Sequence, residues 1–470
     1  MKSILSATAL LAATVVANKR DLCSDGSVDD AGNYYCQEVT GIVYTGVGGE
    51  GSYNAVTDMP SSGECSSTPS TYSGSMSPLD QEVSMHFRGP LQLLQFAVYT
   101  PSSSSTKKRD ARINAHARRH AHGNAHGHQH HARDAAVGDI VVVTMNGQAV
   151  SWTNEWTGET STSAPAASST VAAAADYAVT SASSSAASAT TTSSSDQSSS
   201  STSSSSSDSS SDSDSTSSSG GWSRQGYYNA SSGTSEGFVF LNHYGGSGSG
   251  VFDYTYGSSL SFSSADGTTG ASQNTTLEYT TLPSSAEVVI MSDNACSGDD
   301  CGYFREKTVA YHGFDGSSKA FFFQFQMPST GETAASEYDP VDMPAIWMLN
   351  ALIPRTLQYG QESCSCWESG CGEFDIFEVL AAGDTRMKST LHGNIAGGDS
   401  DYFKRPTDQP IKAAMVLYEN NIHIQILDDT TDIGNPSSAF DDTMSEDVIN
   451  DIISGTTTQT DAVSLFALAS

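Results

Sequence analysis

The sequence predicts an all-β protein, and three observations carry that prediction. From Trp222 to Ser470, short runs rich in β-branched and aromatic residues recur between turn-forming Gly, Asn, Asp and Ser; GFVFLNHY, AEVVIMSD, KAFFFQFQM, PAIWML, GEFDIFEVL and NIHIQILD are examples. Similar runs, VSMHFRGPLQLLQFAVYT and GDIVVVTMNGQAVSWTNEW, lie in the first third of the chain. Amphipathic helix candidates are few, with one at about 443 to 453 (MSEDVINDIIS). Many short strands in this spacing read as a β-sandwich or barrel rather than as βαβ units.

Taken in order, residues 1–17 read as a secretory signal. Lys2 supplies the basic start, Ile4 to Val16 the apolar core, and Val15 and Ala17 the small-residue cleavage pattern. Lys19-Arg20 behind it resembles a dibasic processing site. No later segment has the apolar length of a membrane span, and the C-terminal tail is too short for a lipid-anchor signal. The chain is therefore expected to be exported.

Residues 21–157 are expected to form a smaller, Gly-rich N-terminal β domain. A basic insertion at 107–134 interrupts it and holds seven of the 12 histidines: His116, His120, His122, His126, His128, His130 and His131. The tract has no fixed ligand spacing, so a solvated loop is preferred to a metal site, and no metal or other cofactor is expected. Residues 158–221 are nearly all Ser, Thr, Ala and Asp. They cannot bury apolar surface and are expected to form a disordered linker, either plain or O-glycosylated. Residues 222–470 form the second expected domain.

The formal charge of −32 disfavours nucleic acid and anionic membranes as partners and suits a neutral polymer such as polysaccharide. Eight cysteines in an exported chain imply disulfides: Cys23, Cys36, Cys65, Cys296, Cys301, Cys364, Cys366 and Cys371. Cys23 with Cys36 and Cys296 with Cys301 are natural local pairs. Three cysteines precede the Ser tract and five follow it, so full oxidation requires a bridge between the two parts. Cys65 is expected to join Cys364, Cys366 or Cys371. Asn229 and Asn274 head N-glycosylation sequons.

The chemistry concentrates in CGEFDIFEVL, where Glu373, Asp375 and Glu378 stand among Phe374, Ile376, Phe377, Val379 and Leu380. In a strand, Glu373 and Asp375 share a face and Glu378 falls on the other. A β-bulge near Ile376-Phe377 would return Glu378 to the acidic face. Three crowded carboxylates repel one another, which raises at least one pKa. Retaining glycoside hydrolysis needs such an arrangement: one ionised and one protonated carboxyl, about 5–5.5 Å apart.

Glu373 to Glu378 is similar to the Glu-x-Asp-x-x-Glu signature of glycoside hydrolase family 16. PAIWMLN (Pro344 to Asn350) resembles that family's tryptophan-bearing strand, and STLHGN (Ser389 to Asn394) its following strand. The whole layout resembles the fungal Tos-one-like cell-wall glycosyl hydrolases. The matching features are a Gly-rich unit at Cys23 to Cys65, the Ser tract and CSCWESGCGEFDIFEVL. The resemblance implies a β-jelly-roll catalytic domain with Glu373 as nucleophile, Glu378 as acid/base and Asp375 as auxiliary carboxylate. It also implies β-1,3-glucan, or mixed β-1,3/1,4-glucan, as the substrate and the cell wall as the location. It departs from the family pattern beyond Leu391, where no further Trp appears.

Trp347, Trp367 and His392 are candidate substrate contacts, the tryptophans through ring stacking on a pyranose. A monomeric endo-β-1,3-glucanase is the expected function, with possible transglycosylation. A non-catalytic glucan-binding wall protein is the alternative.

Overall fold

The computed structural model describes residues 26–29, 32–102, 140–145, 148–153, 221–333, 340–427, 443–457 and 460–468. The signal segment, Cys23, the His-rich insertion and residues 158–220 lie outside the described residues.

The strands that build the molecule are β1 (Gly41–Thr45), β2 (Gly48–Asp58), β3 (Ser66–Ser75), β4 (Val83–Arg88), β5 (Gln92–Pro101), β6 (Gly221–Asn229) and β7 (Phe238–Asn242). They continue with β8 (Glu287–Ser292), β9 (Lys319–Gln326), β10 (Ala345–Asn350), β11 (Glu373–Glu378), β12 (Arg386–His392), β13 (Ile411–Tyr418), β14 (Asn421–Leu427) and β15 (Val463–Ala467). Two large sheets result. One runs β6-β5-β9-β13-β14-β1-β15 and the other β7-β8-β4-β10-β11-β12, each extended by short edge strands.

The two sheets stack through a single aromatic-rich core. Phe96, Phe321, Phe323 and Met415 of the first sheet meet Phe87, Phe238, Ile290, Met348 and Phe374 of the second. Alternation explains why these residues form strands: in β4, Met85 and Phe87 face the core while Ser84, His86 and Arg88 face outward. The all-β expectation holds. One helix, α1 (Leu352–Thr356), follows β10, and a second, α2 (Glu446–Gly455), packs Ile449 and Ile452 on the outer face of the first sheet.

The two-part division read from the sequence is a division of the chain and not of the sheets. β1 and β5 lie within the first sheet and β4 within the second, between strands that come from beyond the Ser tract. The reason is that β4 and β5 alone cannot cover either of their faces, whereas both do so between C-terminal neighbours. Pro101 and Trp222 are ladder partners across β5 and β6, and the amide N–H of Ser102 donates to the carbonyl of Gly221 at 2.7 Å. The long intervening stretch therefore leaves and rejoins the sandwich at one point. β1 and β15 pair in parallel, which sets the first and last core strands side by side.

Candidate active site

The outer face of the second sheet is the floor of the site. Gly372 leads the chain into β11 with φ +107°, and a Cβ there would come within 3.0 Å of Leu79, so glycine suits both the turn and the close packing. Along β11, Phe374, Ile376, Phe377 and Val379 all enter the inter-sheet core. The pairing explains how. Trp347 opposes Asp375 and Ile346 opposes Phe377, leaving Ile376 as the extra residue of a bulge. Pairing with β12 shifts over the same interval. The bulge places Glu373, Asp375 and Glu378 together on the outer face.

Each carboxylate has a different partner. The indole N–H of Trp367 donates to Glu373 Oε2 at 2.5 Å. His392 Nε2 pairs with Asp375 Oδ2 at 2.9 Å. Arg88 Nη2 donates to Glu378 Oε1 at 3.3 Å. Burial, and then the charge of Asp375, push Glu373 up to about 7. Burial, and then Glu378, push Asp375 up to about 6. His392 is raised to about 9, chiefly by its hydrogen bond to Asp375. At neutral pH and below, His392 is a cation that favours the anionic form of both neighbours.

Of the three expected substrate contacts, two are accessible. The Trp367 ring is 40 % exposed and the His392 side chain 42 %. Trp347 is only 5 % exposed. His86 stacks on it at 5.1 Å, the Arg88 guanidinium lies 5.6 Å from its ring centre, and Tyr53 and Tyr72 belong to the same packed cluster. It braces the floor and does not offer a free face.

One side of the groove is walled by the β2–β3 hairpin and by the loop from Leu357 to Cys371. Asn394 Nδ2 donates to the Ser52 carbonyl and to the Tyr72 hydroxyl, and the Asn54 N–H donates to Ser369 Oγ. Cys65 at the head of β3 is bonded to Cys364, which ties the N-terminal hairpin to the C-terminal loop across 299 residues. Cys366–Cys371 and Cys296–Cys301 are the other two described bridges. Cys36 is also disulfide-bonded, while Cys23 lies outside the described residues.

The sequence reading missed a second polar group on the same face: His86 and Arg88 of β4, Glu287 of β8, and His243 with Tyr359 from adjoining loops. Alternation in VSMHFR was a usable signal for His86 and Arg88. Nothing local distinguished Tyr359.

Among the described residues, Glu373, Asp375 and His392 offer atoms within 4.8 Å of one another, as do His86, His243 and Glu287. In each set a histidine nitrogen is already engaged with a carboxylate. A third set contains Cys296 and Cys301, whose sulfurs are bonded to each other.

Both sequon asparagines use their amides within the fold. Asn229 Oδ1 accepts from the Ser231 N–H, and Asn274 spans the backbone of Phe238 and Phe240.

Two family profiles match the chain. One is described as "Cell wall protein YJL171C/Tos1, C-terminal" over residues 220–452, the other as its N-terminal counterpart over residues 40–101. A Candida albicans protein named "Probable circularly permuted 1,3-beta-glucanase TOS1" is 42% identical over 456 residues, covering 91% of this chain and 94% of the relative. A Saccharomyces cerevisiae protein of the same name is 42% identical over 435 residues, covering 90% and 92%. An Arthroderma benhamiae protein named "Probable circularly permuted 1,3-beta-glucanase" is 38% identical over 406 residues, covering 83% and 85%. No solved structure matches.

Proposed function

The chain belongs to the Tos1 family of cell wall proteins, and from that premise we propose that it is an exported, retaining endo-β-1,3-glucanase acting on cell-wall glucan. The observation that carries this reading is the bulge in β11, which gathers three carboxylates on one outer face of the sheet while their apolar neighbours fill the core. The names of the relatives support β-1,3-glucan as the substrate class. Their description as circularly permuted agrees with first and last core strands that lie side by side.

In this reading Glu373 attacks the anomeric carbon while Glu378 protonates the departing glycosidic oxygen. A glycosyl–Glu373 ester results, and Glu378 then deprotonates the incoming water. Trp367 and protonated His392 both favour a Glu373 anion. Asp375 lies between Glu373 and Glu378 along β11, and after burial its charge raises Glu373 while that of Glu378 raises Asp375, so the site holds a proton at mildly acid pH. A sugar hydroxyl in place of water gives transglycosylation, which product-size analysis with an oligosaccharide donor distinguishes from hydrolysis.

The test is laminarin turnover by wild type, Glu373→Gln and Glu378→Gln. Each variant is expected to lose roughly 10²- to 10⁴-fold in kcat. If neither substitution lowers turnover, the assignment fails. If wild type binds laminarin without cleaving it, the protein is a glucan-binding wall component.

A further inference from the structure

We infer that Glu287, His86, His243 and Tyr359 form a second sugar subsite, one that holds a glucosyl unit beside the scissile position. The inference rests on the glucanase reading and adds to it a place where the enzyme selects for chain length.

Position comes first. Glu287 projects from the outer face of the second sheet, on a strand three places along from β11, so the two backbones are about 14 Å apart. A chain of contacts spans that distance: Glu287 is bonded to His86, His86 stacks on its ladder partner Trp347, and Trp347 opposes Asp375 across β10 and β11. The two carboxylates therefore stand on the same face of one sheet, joined through His86 and Trp347.

The group is also built with fixed geometry. His86 is fully buried; its Nδ1–H donates to Glu287 Oε1 at 2.8 Å, and its Nε2 accepts from Ser84 Oγ at 2.8 Å. Burial disfavours the charged imidazole, so His86 acts as a neutral orienting donor. Gln358 donates to the same oxygen at 2.9 Å, and the Tyr359 hydroxyl donates to Oε2 at 2.7 Å. Burial opposes ionisation of Glu287, but His243, whose Nε2 lies 3.5 Å from Oε1, and then His86 outweigh it and hold the carboxyl well below its usual range. A carboxylate has about four acceptor positions. His86, Gln358 and His243 gather on Oε1, whereas among the described residues Oε2 accepts from Tyr359 alone, which leaves a second acceptor position on Oε2 beside the tyrosine.

The network ends on an exposed ring. Tyr359 is 54 % exposed although its hydroxyl is anchored on Glu287, and the His243 ring meets it edge-on at 5.5 Å and 74°. A network serving only the fold would have no need of a large aromatic face in solvent. A pinned aromatic face next to a free carboxylate lone pair suits a pyranose, with C–H bonds toward the ring and a hydroxyl toward the oxygen. Trp367 repeats the design on Glu373. Both rings come from the one loop that Cys65–Cys364 and Cys366–Cys371 hold in place, so their spacing is set before ligand arrives.

The test compares kcat/KM for a β-1,3-linked glucose trimer and heptamer in wild type, Tyr359→Ala and Glu287→Gln. A titration of the heptamer onto the Glu373→Gln protein, with and without Tyr359→Ala, accompanies it. Tyr359→Ala is expected to lower the preference for heptamer over trimer on the order of tenfold, and heptamer affinity by a similar factor. Equal effects on both sugars, or none, would overturn the subsite. Should wild type cleave neither sugar, the glucanase reading fails separately and the titration decides the subsite alone. Loss of heptamer affinity then supports it, and unchanged affinity or no binding overturns it. Thermal unfolding monitors folding. If Tyr359→Ala does not fold, Glu287→Gln, which keeps the shape and removes the charge, is judged by the same ratio.

Discussion

Ile376 and Phe377 are consecutive in the chain, yet both side chains enter the core between the sheets, where Phe377 packs against Phe325 and Phe403. Regular alternation would send one of them outward. The bulge that spares both is what turns Glu378 to the side of Glu373 and Asp375.

Deleting Ile376 is therefore expected to restore alternation and carry Glu378 toward the core. Laminarin turnover should fall at least as far as in Glu378→Gln. The milder Ile376→Ala leaves the register intact and should cost about 2–5 kcal/mol of stability through the cavity it creates. Turnover assays and urea unfolding on both variants check the pair of outcomes. A deletion variant with wild-type turnover would separate the bulge from the chemistry.

His392 is a lever on the pH profile. Its cation lowers the pKa of both Glu373 and Asp375 from where burial would otherwise set them. In His392→Gln that cation is gone and both carboxyls titrate higher. The acid limb of kcat/KM, which in the proposed mechanism reports ionisation of Glu373, should move to higher pH. A pH–rate series on the two proteins measures the displacement, and an unmoved limb would count against the pairing.

Cys65–Cys364 closes a loop of 299 residues and fastens the wall of the groove to the loop that carries Trp367 and Tyr359. Replacing both cysteines by serine should cost about 2–5 kcal/mol in denaturant unfolding. It should also raise KM more than it lowers kcat, since the rings lose their fixed spacing while β11 is untouched. Steady-state kinetics on laminarin give the split.

His423 sets an acid limit on stability. Its side chain is buried with Nδ1 on Thr456 Oγ1 at 2.8 Å, and burial depresses its pKa from 6.5 to about 4. Below 6.5 the unfolded chain takes up a proton that the folded chain refuses until about 4. The stability present above 6.5 is thus lost as pH falls through that window, by about 3 kcal/mol at its foot. His423→Gln should flatten the dependence of the urea midpoint between pH 7 and pH 4.5. A variant as acid-sensitive as wild type would remove His423 as the cause.

The sequence by itself determined the local facts. Alternating apolar runs specify strands because burying one face of a pleated chain needs that period. An acidic triplet bracketed by Phe374, Ile376, Phe377 and Val379 marks a candidate functional strand, because those apolar neighbours fill the core and the carboxylates must then find polar partners on the other face. Even the need for a bulge, and for a bridge from Cys65 to the cysteines before β11, followed from counting.

Only the tertiary structure decided which strands are neighbours. β4 and β5 belong between C-terminal strands because sheet pairing joins residues hundreds of positions apart, and no local pattern encodes a partner. The same holds for the site. Trp347 and Trp367 look alike in sequence, but His86 and the β2–β3 hairpin cover the first and leave the second open. Glu287 and Tyr359 come together only because β8 lies beside β4 and the loop after α1 folds over them, so the function of each rests on long-range packing.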